Sequence, residues 1–159
     1  MAGCAMLGGN ALLYYDSSLD YATPTWTVID EAQDVSYAST SNTGTSAFRG
    51  APYEYDIQAK RKLELTFTLQ YLKGSTQFKA LADAHAAGTV LQFAAMDGVL
   101  PPASGDTATG ARFYGQVHDM DNAQPLQDSY TVDVVVRPVC YNDAGTLRHP
   151  EYPYEESTP

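Results

Sequence analysis

The chain has 159 residues, 44% of them hydrophobic and 18% charged, with a formal net charge of -10. That is enough sequence for one folded core and too little for two, and the composition lies outside the collagen-like and disordered classes. An acidic chain whose cations Lys60, Arg61, Lys62, Lys73 and Lys79 fall in one short segment lacks the basic face of a tight nucleic-acid binder; carboxylates lining a corridor would instead repel a polyanion and let it pass.

The first residues, MAGCAMLGGNALLYYD, have no basic n-region and no long apolar run, so neither a signal peptide nor a lipoprotein signal at Cys4 is expected. Ala2 stands where N-myristoylation needs glycine, and no stretch approaches transmembrane length. The expectation is a product made in the cytoplasm, without a membrane partner, whose Cys4 and Cys140 are free thiols.

In chain order, short strands are predicted at 11–15 and 25–29, separated by a turn-rich piece. Residues 34–55, DVSYASTSNTGTSAFRGAPYEY, carry turn residues throughout and no sustained periodicity, and read as a long polar loop of the kind that is either functional or disordered. From Lys60 to Leu72, Leu63, Leu65, Phe67, Leu69 and Tyr71 alternate with Lys62, Glu64, Thr66, Thr68 and Gln70, which is a half-buried strand. At about 3.3 Å per residue it spans roughly 40 Å, about twice a typical strand, so a small sandwich would leave part of it uncovered. Ser75 supplies N-cap chemistry, QFKALADAHAA follows, and Gly88 ends the run, giving a helix with Phe78, Leu81, Ala82 and His85 on its packed face.

Leu91, Phe93 and Ala95 predict a further strand, residues 97–110 a Pro/Gly/Ser-rich loop, and Arg112 to His118 a strand. Tyr130, Val132, Val134 and Val136 alternate with Thr131, Asp133, Val135 and Arg137 in a last strand that Pro138 ends. The polar, acidic residues 141–159 read as an extended terminal arm. The fold class is therefore mainly β with one α-helix, an antiparallel β-sandwich or partial barrel with the helix on its flank. Residues 1–138 form the β domain and 139–159 the arm.

Catalytic motifs are missing: there is no P-loop, dinucleotide fingerprint, G-x-S-x-G elbow or H-E-x-x-H. No catalytic, cofactor or metal residue is assigned, and the chain is not read as an enzyme. His118 with Asp119 and Asp121 is the one place where a metal or acid–base site is conceivable, yet neighbours on a strand point to opposite faces unless a bulge intervenes. His85 reads as a satisfied, partly buried histidine. Tyr14, Tyr15, Tyr21, Trp26, Tyr37, Tyr53 and Tyr55 concentrate aromatic area in the first third, which suits a protein–protein interface or a sugar-binding platform. Lys60, Arg61 and Lys62 straddle two strand faces and read as a solvated strand start, or as an electrostatic latch to an acidic segment of a neighbour.

The order of these pieces, a strand holding Trp26, the acidic stretch and loop 30–49, KRKLELTFTLQYL, FKALADAHAAG, TVLQFAAMDG, GARFYGQV and YTVDVVVRPV, resembles the major tail tube proteins of long-tailed (siphovirus-type) bacteriophages. The resemblance covers residues 11–139. It implies a virion tail protein assembled in the host cytoplasm, forming stacked hexameric rings that make a hollow conduit for DNA. It implies other tail proteins as partners, such as the tape measure and tail terminator, and DNA passing without tight binding. Lys62, Glu64, Thr66, Thr68, Gln70 and Asp133 would then face the lumen, and Asp34, Tyr37, Phe48, Arg49, Tyr53 and Tyr55 would make ring-to-ring contacts. A contractile secretion-system tube is similar, and a monomeric β-sandwich carbohydrate-binding module is the alternative from another class.

Overall fold

Apolar residues at every second position from Leu63 to Leu69 favour an extended chain, since a period of two puts them all on one face. The structure is a computed structural model and describes residues 11–50 and 52–159. In it this segment is the second half of strand β4 (Glu54–Gln70), with Leu63, Leu65, Phe67 and Leu69 buried. The other strands are β1 (Leu12–Asp16), β2 (Thr27–Val28), β3 (Ala32–Ala47), β5 (Leu91–Met96), β6 (Thr107–Ala123), β7 (Thr131–Pro138), β8 (Tyr141–Asp143), β9 (Thr146–Arg148) and β10 (Glu151–Ser157), with one helix, α1 (Thr76–Ala87).

Eight strands form one antiparallel sheet in the order β2-β1-β5-β6-β7-β4-β3, with β10 also paired to β6. β6 joins two regions of the sheet. Its first half lies between β5 and β10, and its second half pairs with β7. β8 and β9 make a separate small hairpin. Among the described residues the strands do not close into a barrel: the order ends at β2 on one side and β3 on the other.

The main core lies inside the curve of this sheet, where Leu65, Phe67, Leu69, Val132, Val134 and Val136 meet Leu13, Phe93, Phe113 and the helix residues Leu81 and Ala84. A smaller cluster of Tyr14, Ala94, Met96, Leu100 and Ala108 covers the opposite face. β5 is sandwiched between the two, so all six of its residues are buried. Five of its side chains are apolar for that reason, and the sixth, Gln92, is a buried polar group with hydrogen-bond partners.

Helix α1 begins and ends where its sequence predicts. Ser75 Oγ accepts from the Phe78 N–H at 3.0 Å, and Gly88 takes the left-handed conformation, φ 65, that ends the last turn. Leu81 and Ala84 carry its buried contact, with Phe78 packed at the margin against Tyr71. His85 is exposed, in contrast to the partly buried position expected, although its Nδ1 lies 3.1 Å from the Val117 carbonyl oxygen.

Three expectations are corrected. Residues 34–55 are not a loop: β3 pairs along nearly all of β4, from Ala47↔Glu54 back to Ala32↔Leu69, making one long hairpin. Over residues 34–55 both faces are solvated, so no apolar alternation marks the segment, and pairing with the β4 backbone holds it extended. Residues 139–159 are not an unpacked arm, since β10 adds to the edge of β6 and Tyr154 packs against the smaller cluster. The loop after β5 is shorter than expected and β6 correspondingly longer, running from Thr107 to Ala123.

Candidate assembly surface

Directly paired residues of neighbouring strands share a face. The register therefore places the predicted lumen residues of β4 and β7 together, on the side away from the core. Thr68 pairs with Asp133, Thr66 with Val135 and Gln70 with Thr131. Thr68 Oγ1 donates to Asp133 Oδ1 at 2.8 Å, and Arg137 Nε lies 3.1 Å from Glu64 Oε2. Gln70 accepts from Gln33 Nε2 at 2.9 Å, which ties β3 to the same face.

β6 extends this polar face with residues that the sequence reading did not assign to it. The pairing slips between Val117↔Val136 and Asp119↔Val135, a β-bulge that places two β6 residues against one on β7. After the bulge Asp119 and Asp121 stand beside Val135 and Asp133, while Met120 turns to the core. The bulge that would let His118 and Asp119 converge is thus present. Even so, among the described residues no group of three or more His, Cys, Asp or Glu is placed to hold a metal ion. The alternation of Arg112 to His118 could not reveal this face, because a bulge leaves no mark in composition.

This four-stranded section has two free backbone edges. One is β3, whose only partner among the described residues is β4. The other is the part of β6 beyond Gly115 on the side away from β7, where β5 no longer reaches. The helix end guards the start of that edge: Gln116 Nε2 donates to the Gly88 carbonyl at 2.7 Å, beside the His85–Val117 contact.

The predicted contact residues do not form one cluster. Phe48, Arg49 and Tyr53 at the hairpin tip and Tyr55 on the returning strand lie at the far end, with Phe48 64% and Tyr53 72% exposed. Asp34 and Tyr37 lie at the hairpin's foot, where Tyr37 packs edge-on against Tyr152 with ring centroids 5.5 Å apart. Lys60, Arg61 and Lys62 are all exposed on the hairpin between these ends.

Several early aromatics are used inside the chain. Tyr14 is buried in the smaller cluster and Trp26 packs against it. Tyr21 lies 4.0 Å from the Arg112 guanidinium and 3.6 Å from that of Arg148. Arg112 itself is 5% exposed; it donates to Gln92 Oε1, the Tyr21 carbonyl and the Tyr154 hydroxyl. This buried cation joins the 17–24 loop, β5, β6 and β10. Only its position in an apolar strand hinted at it. Burial, then the hydrogen bond to Glu151 and that carboxylate's charge, push the Tyr21 phenol up to about 12. Burial and the charge of Asp143 push Tyr114 to about 12 as well.

Cys140 is exposed and free, and Cys4 lies outside the described residues. Among the described residues no helix is long and apolar enough to cross a membrane. No family model matches the sequence, and no curated protein does. Solved structures do match in shape. The SPP1 tail tube chain superposes with TM-score 0.68 at 13% identity, covering 84% of this chain and 76% of that one. The chain has the phage tail tube fold. The tail of the empty GTA particle, refined with C6 symmetry, matches at TM-score 0.62 and 13% identity, covering 91% of this chain and 98% of the other. A chain of the anti-feeding prophage (AFP) baseplate, 6-fold symmetrised, matches at 0.58 and 6% identity, covering 99% and 98%. The similarity in fold spans 84% to 99% of the chain in these three matches.

Proposed function

We propose that the protein is the structural subunit of a phage tail tube, assembling through its sheet edges into stacked hexameric rings around a conduit for DNA. The observation that carries this reading is the polar face of β3, β4, β7 and β6, bounded by two free edges, on a chain with the tail tube fold. Successive strands in that section alternate in direction. Four strands per copy therefore let β3 of one copy meet the free part of β6 on the next in antiparallel register, and repetition around a ring closes these two edges against each other. A 16-residue strand with one edge open on a lone monomer would be an aggregation liability.

In such a ring Lys62, Glu64, Thr66, Thr68, Gln70 and Asp133 line the lumen, joined by Asp119, Asp121 and Arg137. The carboxylates Glu64, Asp119, Asp121 and Asp133 outnumber the cations Lys62 and Arg137, which suits passage of a polyanion without capture. Six copies fit the C6 symmetry of the GTA tail. The virion tail is the location this implies, with the tape measure inside the tube and a terminator at its end. Electron microscopy of the purified protein over a concentration series tests the reading: hollow tubes with six-fold end views are expected. Monomers at every concentration, with and without a tail-tip nucleus, would refute it.

A further inference from the structure

β4 and β7 pair from Gln70↔Thr131 to Leu65↔Val136 and then part. β7 ends at Pro138, while β4 runs on through Leu63, Lys62 and Arg61 with β3 as its one strand partner among the described residues. The notch between them is a hollow of about 400 Å³. A second hollow, of about 540 Å³, lies between β3, β4 and the segment that leads into β10. The two share Arg61, Leu63 and Pro150 and so adjoin as one groove.

This groove is cationic on a chain with 19 acidic and 9 basic residues. Lys60, Arg61, Lys62 and Arg137 line it, with His118 and His149, and among the described residues no aspartate or glutamate does. Arg137 shares its charge with Glu64 at 3.1 Å. Lys60, Arg61 and Lys62 are exposed and make no ion pair among the described residues, so three adjacent like charges repel one another and attract any anion seated between them. Glu54 and Asp56 lie further along β4 towards the hairpin tip, and Asp119 stands beside Val135 on the polar face. The floor is apolar, with buried Leu63 beside Pro138, Val139 and Pro150.

We propose that this groove is a docking site for an acidic, apolar-anchored segment of a different protein, its carboxylates on Lys60, Arg61 and Lys62 and its apolar side chains over Leu63 and Pro150. Clusters of basic side chains recognise acidic motifs in this way, and the apolar floor favours a polypeptide over a bare phosphate chain. A second copy is the poorer occupant because much of this chain's acidity is engaged internally. Asp16 holds Ser18 and Gln92, Asp20 holds Thr23, Glu31 holds Ser75, Glu151 holds Tyr21, and the acidic strand β10 is already paired to β6. The proposal goes beyond the tube reading and does not rest on it.

The test is fluorescence anisotropy with full-length, unassembled protein and a labelled synthetic peptide, ELEFEDE. Saturable binding is expected, with none for KLKFKNK. Binding should be at least about tenfold weaker for EGEGEDE, which loses the two apolar anchors, and at least about tenfold weaker for Lys60→Glu with Arg61→Glu, the combined loss of a few exposed ion pairs. The peptide comparison uses wild-type protein and so stands even if that variant misfolds. No binding of ELEFEDE would overturn the proposal, as would equal binding of ELEFEDE and EGEGEDE, which would mean attraction of any anion. A single-stranded oligonucleotide that displaces the peptide at lower concentration would assign the groove to nucleic acid instead, and self-association that competes with the peptide would assign it to a second copy. Absence of tubes would refute the tube reading and leave this docking site standing.

Discussion

Thr68 Oγ1 donates to Asp133 Oδ1 at 2.8 Å, directly across the β4–β7 pair. The bond uses one carboxylate oxygen and leaves the charge of Asp133 exposed on the polar face. Nearby, Arg137 meets Glu64 at 3.1 Å and largely cancels it. Across β4, β6 and β7 the carboxylates Asp133, Asp119 and Asp121 therefore outnumber Lys62, which makes that section acidic beside the basic run at residues 60–62.

Reversing that field should turn a non-stick surface into a binding one. Assembled protein carrying Asp119→Lys, Asp121→Lys and Asp133→Lys is expected to retain duplex DNA at low salt, with affinity falling steeply as salt rises, while wild-type assemblies retain none. Filter binding over a salt series reads this directly. Equal retention by both would mean that these side chains do not line the path.

The helix cap gives a second prediction. Ser75 Oγ accepts the Phe78 N–H at 3.0 Å and donates to Glu31 Oε2 at 2.8 Å, so it also anchors the chain ahead of β3. Ser75→Ala should destabilise the protein by about 1 kcal/mol, the usual loss for an N-cap, with Ser75→Thr, which keeps a hydroxyl able to accept from Phe78 and donate to Glu31, recovering part of it. Urea denaturation measures the shift in midpoint; no difference between Ala and Thr would show that the cap is not formed in solution.

The same helix shows what made the fold legible. Its cap, its apolar stripe and its terminal glycine are local signals, and so is the alternation of Leu63 to Leu69 and of Val132 to Val136. These features report a face buried against the chain's own core, and the polar residues between them indicate the other face. The hairpin of β3 and early β4 buries neither face, so its Ser and Thr residues resemble loop residues in every local respect. β10 escaped notice for a related reason: it is held by backbone pairing to β6 and by Tyr154, neither of which imposes a period. Arg112 is a tertiary solution, meeting residues from three other segments far apart in the chain. The bulge at β6 decides where Asp119 and Asp121 point, and nothing in the local sequence announces it.

Packing between β5 and β6 gives a third prediction. Gly110 crosses so close to β5 that an added Cβ would lie 1.9 Å from the Ala95 carbonyl oxygen. That neighbour is paired backbone and cannot swing aside as a side chain would. Gly110→Ala should therefore cost at least about 1–3 kcal/mol, the range for overpacking a core, and lower the yield of folded protein. At Gly98 the corresponding contact is an ordinary 3.7 Å to a side chain, so Gly98→Ala serves as the control with little effect. Parallel thermal melts decide it; equal midpoints for the two variants would refute the close approach.

The last prediction concerns alkaline pH. The Tyr21 hydroxyl donates to Glu151 Oε1 at 2.6 Å, and its phenol is pushed up to about 12 by burial and by that carboxylate. An unfolded tyrosine titrates near 10. The folded state therefore holds this proton more tightly than the unfolded state, and linkage fixes the sign. The contribution of Tyr21 to stability is fully present below about pH 10 and is lost as pH rises towards about 12. Glu151 opens β10 and Tyr21 touches both Arg112 and Arg148, so the C-terminal strand should loosen first in that window. Tyrosinate absorbance should show late-titrating phenols in the wild type, and Tyr21→Phe should remove one of them. Hydrogen exchange at residues 151–157 should accelerate between pH 10 and 12 in the wild type, relative to the intrinsic rate, and change less over that window in Tyr21→Phe. A Tyr21 that titrates with the exposed tyrosines near 10, leaving β10 protected above it, would show that this contact does not hold the strand.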